Sequence, residues 1–181
     1  MARVFAAALV LVGLLAGCAR SGPTAVPQIP ADALPGHPTA LRSLDANDLA
    51  AEALDPQAAH AELDRSGFVA ASARTFAAPD RGVRTAQARR LAFGSSVDAG
   101  VYLEWLRGAI DSIVGDGRVV EPSLPGPGFV FLHEPGGCCP KEQPVAIAVW
   151  RERAEVLWVQ ATGDVGARDA VRYALALDVA V

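Results

Sequence analysis

Two neighbouring apolar runs near the C-terminal end of the sequence constrain its fold most. Residues 145–150 and 155–162 are rich in apolar side chains, and only residues 151–154 join them. A connection this short predicts an antiparallel hairpin. The first run has apolar side chains on both faces, with Val145, Ile147 and Val149 on one and Ala146, Ala148 and Trp150 on the other. Strands of this kind are typical of the centre of a sheet that helices cover.

The remaining patterns predict two long helices and several further strands. A Ser-x-x-Asp pattern at Ser95, followed by apolar residues at spacings of three and four, predicts a helix over 96–114. A second amphipathic pattern predicts a helix over 164–177. Other segments are predicted as short helices over 46–54 and 55–66, and as strands over 68–76, 87–93, 118–121 and 128–133, with a turn over 79–82. We therefore expect an α+β fold, a largely antiparallel sheet packed by two long helices.

The N-terminal end predicts export and lipid attachment. Arg3 is followed by an almost uninterrupted apolar run, residues 4–15, which ends at Leu15-Ala16-Gly17-Cys18. This is the layout of a secretory signal, and it is shorter than the roughly 20 apolar residues of a membrane-spanning helix. Residues 15–18 resemble a bacterial lipobox, which implies cleavage before Cys18 and a diacylglyceryl thioether on it, usually with an amide-linked acyl chain. The alternative is an ordinary signal in which the position of Cys18 is coincidental.

A proline-rich segment follows the predicted lipidation site. Five prolines and two glycines lie within residues 19–39, without a periodic apolar pattern. Such segments are extended and semi-rigid, so the pattern predicts a tether. The predicted organisation is a signal peptide over 1–17, a lipidated cysteine and tether over 18–40, and one α+β domain over 41–181. His37 lies in the tether and is expected to be a solvated loop residue.

The charge balance argues against one class of partner. Sixteen Lys and Arg residues oppose twenty Asp and Glu residues, for a net charge of -4, and Lys141 is the sole lysine. This balance provides no basic field for a run of phosphates, so we expect no nucleic-acid partner and no polybasic membrane contact. The expected membrane contact is the lipid on Cys18, at the outer face of the cytoplasmic membrane. The sequence contains no cofactor fingerprint, and we expect no cofactor.

Reactive side chains are concentrated in one glycine- and proline-rich loop that begins at His133. Adjacent Cys138 and Cys139 allow three interpretations. The first is a vicinal disulfide, and the second is a pair of reduced thiols that pack or form bridges between chains. The third is a metal or redox site that His133 and Glu134 complete with the two thiolates. The two-residue spacer of a thioredoxin-type motif is absent.

Other candidate catalytic residues have simpler interpretations. Ser95 begins a predicted helix and lacks the G-x-S-x-G frame of a nucleophile. His60 is expected on the polar side of a short helix, and the aromatic pair Tyr102 and Trp105 is expected in the core. We therefore expect no catalytic site and a protein that is not an enzyme.

The lipobox, the tether and the element order over 55–181 together resemble the uncharacterised envelope lipoproteins of high-GC Gram-positive bacteria, the actinobacteria. Some of these carry a PsbP-like domain. The resemblance implies a protein that binds or scaffolds rather than catalyses. Our leading hypothesis is a non-enzymatic, membrane-anchored envelope lipoprotein with a small ligand- or protein-binding module, in which the Cys138-Cys139 turn fixes a loop at the binding edge. The alternative is a redox- or metal-responsive envelope protein that uses Cys138 and Cys139 with His133.

Overall fold

The computed structural model describes residues 25–133 and 143–181. Along the described chain the helices and strands follow in the order β1 (His37–Pro38), β2 (Arg42–Leu44), α1 (Ala46–Ala50), α2 (Pro56–Arg65), β3 (Phe68–Asp80), β4 (Val83–Phe93), α3 (Ser96–Val114), β5 (Arg118–Val120), β6 (Gly128–His133), β7 (Val145–Glu152), β8 (Glu155–Gly163) and α4 (Ala167–Ala180).

The described strands form one antiparallel sheet. Its order is β1-β3-β4-β8-β7-β6-β5, and β2 also pairs with β3. The predicted hairpin is β7 and β8, which lies between β4 and β6 in the middle of the sheet. The predicted α+β class and the antiparallel character of the sheet are confirmed.

Alternation along β7 divides the hydrophobic core into two parts. Ala148 and Trp150 belong to one cluster of buried residues, and Ile147 and Val149 belong to the other. All four side chains are fully buried. Successive residues of a strand point to opposite faces of the sheet, so the two apolar faces in the sequence correspond to two cores. The cluster with Trp150 also contains residues of α4 and is called the α4-side core; the cluster with Ile147 contains residues of α3 and is called the α3-side core.

The two longest helices bury their apolar stripes in different cores. Tyr173 and Leu177 of α4 are fully buried in the α4-side core. Leu106 and Ile110 of α3 are 1% and 2% exposed and lie in the α3-side core. Burial of a large apolar side chain contributes roughly 1.5–3 kcal/mol, so burial in these cores outweighs the intrinsic propensity of either helix.

The helix starts follow the capping signals in the sequence. Ser95 Oγ accepts a hydrogen bond of 3.2 Å from the Asp98 backbone N–H and donates one of 2.7 Å to Asp98 Oδ2. Asp55 Oδ1 accepts a 3.0 Å bond from the Ala58 N–H at the start of α2. These bonds satisfy N–H groups that have no partner within the helix. The predicted bounds of α3 are confirmed.

The β3–β4 hairpin is longer than the sequence indicates. A turn was expected over 79–82, yet Asp80 pairs with Val83, so β3 continues past Pro79. The pairing shifts register between Ala77 and Asp80, and Ala78 in this irregular part has a φ of 47°. Proline is tolerated in a strand at such an irregularity because no regular ladder bond is required from it there.

The N-terminal boundary of the folded domain differs from the predicted one. Ile29, Ala33 and Leu34 are 1%, 3% and 3% exposed and belong to the α4-side core. The strand β1, which contains an exposed His37, pairs with β3. Residues 29–40, which the proline pattern assigned to the tether, are therefore part of the domain. An irregular segment buries single apolar side chains without producing a periodic pattern. For this reason the predicted domain start at residue 41 is too close to the C-terminus.

Candidate functional site

The cysteines singled out in the sequence, Cys18, Cys138 and Cys139, lie outside the described residues. Of the proposed thiol-containing site, His133 is described, and it is the last residue of β6. No group of three or more potential metal ligands occurs within residues 25–133 and 143–181. The metal and disulfide interpretations of this loop both stay predictions.

The His133 ring is oriented by the turn after α3. Its Nδ1 lies 2.6 Å from the backbone oxygen of Asp116. A carbonyl oxygen can only accept a hydrogen bond, so Nδ1 carries the proton and donates. In this tautomer Nε2 has a free lone pair, which is the arrangement found when a histidine ligand is oriented through its other nitrogen.

The other chemically notable side chains have structural roles. The Ser95 hydroxyl is engaged in the N-cap of α3. His60 Nδ1 lies 3.3 Å from Asp64 Oδ2 one turn further along α2, where both side chains are accessible to solvent.

A cluster of aromatic side chains adjoins a cleft on the α3 side of the sheet. Ring centroids of Phe93 and Tyr102 are 5.0 Å apart, and those of Tyr102 and Trp105 are 5.6 Å apart. Tyr102 is 7% exposed, as expected for a core residue. Burial raises the pKa of Tyr102 far above the usual tyrosine range, so its hydroxyl stays neutral. Trp105 is only half-buried and faces the cleft together with Tyr102.

This cleft has a volume of about 340 Å³. It lies between α1, α2 and α3 on one side and strands β4, β7 and β8 on the other; most of its lining residues are apolar or aromatic, while Glu52, Arg89 and Gln160 are polar. Leu63, Leu106, Ile113 and Val145 are among the apolar lining residues. Small-molecule sites are typically concave, mainly apolar and about 300–1,000 Å³ in volume, so the cleft falls at the lower end of that range.

One ion pair supplies charge to this apolar cleft. Arg89 of β4 and Glu52 both line it, and Arg89 Nη2 is 2.5 Å from Glu52 Oε2. Arg89 Nε donates a 2.7 Å hydrogen bond to Gln87 Oε1. The guanidinium carbon also lies 5.6 Å from the ring centroid of Trp158, the residue opposite Arg89 on β8. These contacts hold the positive charge of Arg89 against strands β4 and β8, which form the floor of the cleft.

The floor also contains a polar group without a hydrogen-bond partner. Trp158 is 7% exposed, and its indole N–H is buried with no partner among the described residues. An unsatisfied buried donor costs about 1–3 kcal/mol, so such groups are uncommon in stable cores. The indole N–H of Trp150 in the α4-side core likewise has no partner among the described residues, so this feature does not distinguish the cleft from the rest of the core.

Sequence reasoning missed the cleft, although one signal for it was present. In β4 the residues at alternate positions Arg89, Leu91 and Phe93 share one face of the sheet, and Leu91 and Phe93 belong to the α3-side core. A charged residue in register with core residues needs a partner or a ligand. The partner, Glu52, lies in the turn after α1, and nothing local in the sequence connects the two.

Comparisons with known proteins support the fold and give no family. No protein-family model and no curated protein sequence matches the chain. Among solved structures, the chain is similar to the extracellular domain of PknH from Mycobacterium tuberculosis, with a TM-score of 0.54 and 14% sequence identity. The similarity covers 80% of this chain and 84% of that domain. At this identity the likeness establishes a shared fold, and the resemblance to PsbP-like domains stays a prediction.

Membrane spans were sought in the described residues as well. None of the helices in this part of the chain is both long and apolar enough to cross a bilayer.

Proposed function

We propose that this protein is a non-enzymatic envelope lipoprotein whose α+β domain binds a small, mainly apolar ligand in the cleft between α1–α3 and the sheet. The observation that carries the proposal is the cleft itself, whose lining residues are mostly apolar or aromatic and include one charged pair, Arg89 and Glu52. Apolar pockets with a few fixed polar groups are the usual form of a ligand site. The similarity to a domain described as extracellular supports the envelope location by analogy of fold.

The membrane-anchored part of the proposal rests on residues 15–18. Cleavage before Cys18 and its lipidation leave eight residues, 19–26, between the lipid and Pro27, the first buried residue among those described. An extended chain spans at most ~3.3–3.6 Å per residue. The domain is therefore held within a few nanometres of the bilayer, much closer than a tether that extends to residue 40 would allow.

The loop that contains Cys138 and Cys139 is close in sequence to one residue of the cleft. Residues 134–142 connect β6 to the segment before β7, and Val145, which pairs with His133, lines the cleft. This supports the role of the loop as one edge of the binding site.

The binding role is tested with a neutral apolar fluorescent probe, N-phenyl-1-naphthylamine. We expect saturable binding to the domain and loss of that binding in Ala53→Phe, because Ala53 lines the cleft and a phenyl ring there fills it. Ala61→Phe on the exposed side of α2 is the matched control and is expected to bind normally. Equal binding by both variants would place the probe elsewhere and remove the main support for the function.

The anchor is tested separately by fractionation of cells that express the full chain. We expect the protein in the membrane fraction and Cys18→Ser in a soluble fraction, since a thioether-linked lipid is the expected membrane contact. Cys138→Ser is the matched control and is expected to stay with the membrane. A Cys18→Ser protein that remains membrane-bound to the same extent would contradict lipid anchoring.

A second candidate function, a redox- or metal-responsive site, is favoured by the orientation of His133. Its Nδ1 is committed to the Asp116 carbonyl, which leaves Nε2 available as a ligand. The test is an intact-mass spectrum under native conditions, with and without reductant. Bound metal that is lost in Cys138→Ser/Cys139→Ser supports this function. A metal-free monomer lighter by two hydrogen atoms than its reduced form instead indicates a vicinal disulfide and the binding role.

A further inference from the structure

The two charged residues of the cleft differ in how firmly they are held. The Arg89 side chain is 13% exposed and projects from the middle of the sheet. Gln87 fixes its Nε, and the Trp158 ring lies against its guanidinium group. These two contacts do not involve Glu52 and leave the side chain little freedom to move, so Arg89 stays at the cleft floor.

Glu52 is held much more weakly. It lies in the turn after the five-residue helix α1, and its side chain is 43% exposed. Within residues 25–133 and 143–181, its side chain makes one ion pair and no further hydrogen bond that fixes it. Ion pairs open to solvent contribute little because water and salt compete with them. Glu52 can therefore swing out of the cleft at low cost, whereas Arg89 cannot.

When Glu52 leaves, the guanidinium group becomes a site for another carboxylate. The planar fork of arginine matches a carboxylate in two parallel hydrogen bonds, and Glu52 already places such a group there. A cationic head group is disfavoured because its partner would be Glu52, which lies against the positive charge of Arg89. The apolar wall formed by Leu63, Leu106 and Ile113 then receives the remainder of the ligand.

From these contacts we infer that the cleft binds a single-chain anionic amphiphile, whose carboxylate replaces Glu52 on Arg89 while its hydrocarbon chain lies along the apolar wall. This inference rests on the proposed ligand-binding function and specifies its ligand class. Glu52 acts in it as an internal competitor: the free protein satisfies Arg89 with Glu52, and the ligand takes over that ion pair. Binding of the ligand breaks no covalent bond and requires no other reactant.

The inference is tested by titration of intrinsic fluorescence. Trp105 and Trp158 are two of the three tryptophans in the chain, and both line the cleft. A chain that begins at Ala19 retains every element described in the fold. The ligands are decanoate, decanol and decyltrimethylammonium, which differ only slightly in length but carry a negative, a neutral and a positive head. We expect decanoate to bind about tenfold more tightly than either of the others, as for one additional fixed ion pair in an apolar site.

Two variants identify the charges responsible. Glu52→Gln removes the competitor and is expected to tighten decanoate binding by about threefold, while Arg89→Gln is expected to weaken it by about tenfold. Decanol binding should change little in either variant. Glu104→Gln removes an exposed carboxylate of α3 that does not line the cleft, and this matched control should behave as the unmodified chain. Arg89→Lys retains the charge without the planar fork. Its decanoate affinity is expected to lie between those of the unmodified chain and of Arg89→Gln.

The outcomes separate the ligand class from the ligand site. If decanol binds as tightly as decanoate, or if both Arg89 variants leave decanoate binding unchanged, the anionic class is wrong while the cleft still binds ligands. If N-phenyl-1-naphthylamine and all three decyl compounds fail to bind, the proposed function itself is wrong. Tighter decanoate binding by Glu52→Gln but not by Glu104→Gln, together with weaker binding by Arg89→Gln, is the result expected if the ligand carboxylate replaces Glu52 on Arg89.

Discussion

Tyr173 donates a 2.6 Å hydrogen bond from its hydroxyl to Oδ2 of Asp80, at the tip of the β3–β4 hairpin. The same oxygen accepts a 2.5 Å bond from Arg172 Nη1. The hydrogen bond from Tyr173, and then that from Arg172, lower the pKa of Asp80 below its usual range. Burial and the bond to Asp80 raise the pKa of Tyr173 to about 12, so it is a neutral donor at neutral pH. These contacts join α4 to a hairpin that comes much earlier in the chain.

The Asp80 cluster predicts a specific dependence of stability on pH. Because the pKa of Asp80 is lower in the folded state, its contribution is complete above the unfolded value and is lost as the pH falls through the folded value. We expect Asp80→Asn to lower the free energy of unfolding by about 1 kcal/mol at neutral pH, a modest amount because the side chain is partly open to solvent. The difference from the unmodified protein should shrink toward pH 3 in urea titrations.

The control for this prediction is Asp32→Asn, which changes an exposed carboxylate and should leave stability nearly unchanged at both pH values. A loss in Asp80→Asn that is equally large at low and neutral pH would show that charge on Asp80 is not the source of its effect.

The parts of the fold that the sequence predicted well have local signals. The hairpin of β7 and β8 follows from two apolar runs and a short connection, and α3 follows from its N-cap at Ser95 and its apolar spacing. Each signal lies within a few residues of the structure that it specifies. Capping, alternation and short turns are decided by neighbours in the chain, so they can be seen without the tertiary structure.

The parts that escaped prediction depend on contacts between distant residues. Arg89 and Glu52 meet only because α1 lies over the sheet, and a strand pattern alone does not identify a partner in another element. The apolar residues Ile29 and Leu34 carry no periodicity, yet the sheet and α4 give them a place to bury. The proline between them, Pro30, favoured an extended segment, whereas the Ala33 N–H donates to the Pro30 carbonyl in a turn, and nothing in the pattern indicated that the segment packs.

The placement of the N-terminal segment in the core leads to a direct test at Ile29. This side chain is 1% exposed, so Ile29→Ala is expected to lower the free energy of unfolding by about 2–5 kcal/mol through lost burial and a cavity. The neighbouring Gln28 is exposed, and Gln28→Ala should change stability by no more than about 0.5 kcal/mol. Chemical denaturation of both variants measures the difference. Equal stabilities of the two variants would contradict the placement of this segment in the core and support its assignment to the tether.

The central hairpin contains a residue whose backbone is suited to glycine. Glu152 pairs with Glu155, which leaves Arg153 and Ala154 as the turn, and Arg153 has a φ of 52°. A left-handed backbone conformation with positive φ destabilises a residue with a Cβ by about 1–2 kcal/mol relative to glycine. We expect Arg153→Gly to raise the free energy of unfolding by up to about 1 kcal/mol, because greater freedom of the unfolded chain offsets part of the gain.

Ala154→Gly provides the comparison for this hairpin, since Ala154 is not among the described residues with positive φ. It should lower the unfolding free energy slightly, because glycine adds freedom to the unfolded chain without relieving strain. Thermal unfolding of the two variants side by side would reveal opposite shifts. A loss of stability in Arg153→Gly would mean that its side chain matters more than its backbone.

Alanine substitutions at two glycines are expected to change the free energy of unfolding in opposite directions. Gly163, at the end of β8, has a φ of 122°, and a Cβ there would collide with the backbone oxygen of Gly82. Gly163→Ala is therefore expected to lower the free energy of unfolding by about 1–3 kcal/mol. Gly108 lies inside α3 with open space around it, so Gly108→Ala should raise that free energy by about 0.5–1 kcal/mol. Urea titrations should give midpoints that move in opposite directions. Shifts of the same sign would show that residue composition, rather than the backbone surroundings of each glycine, decides the outcome.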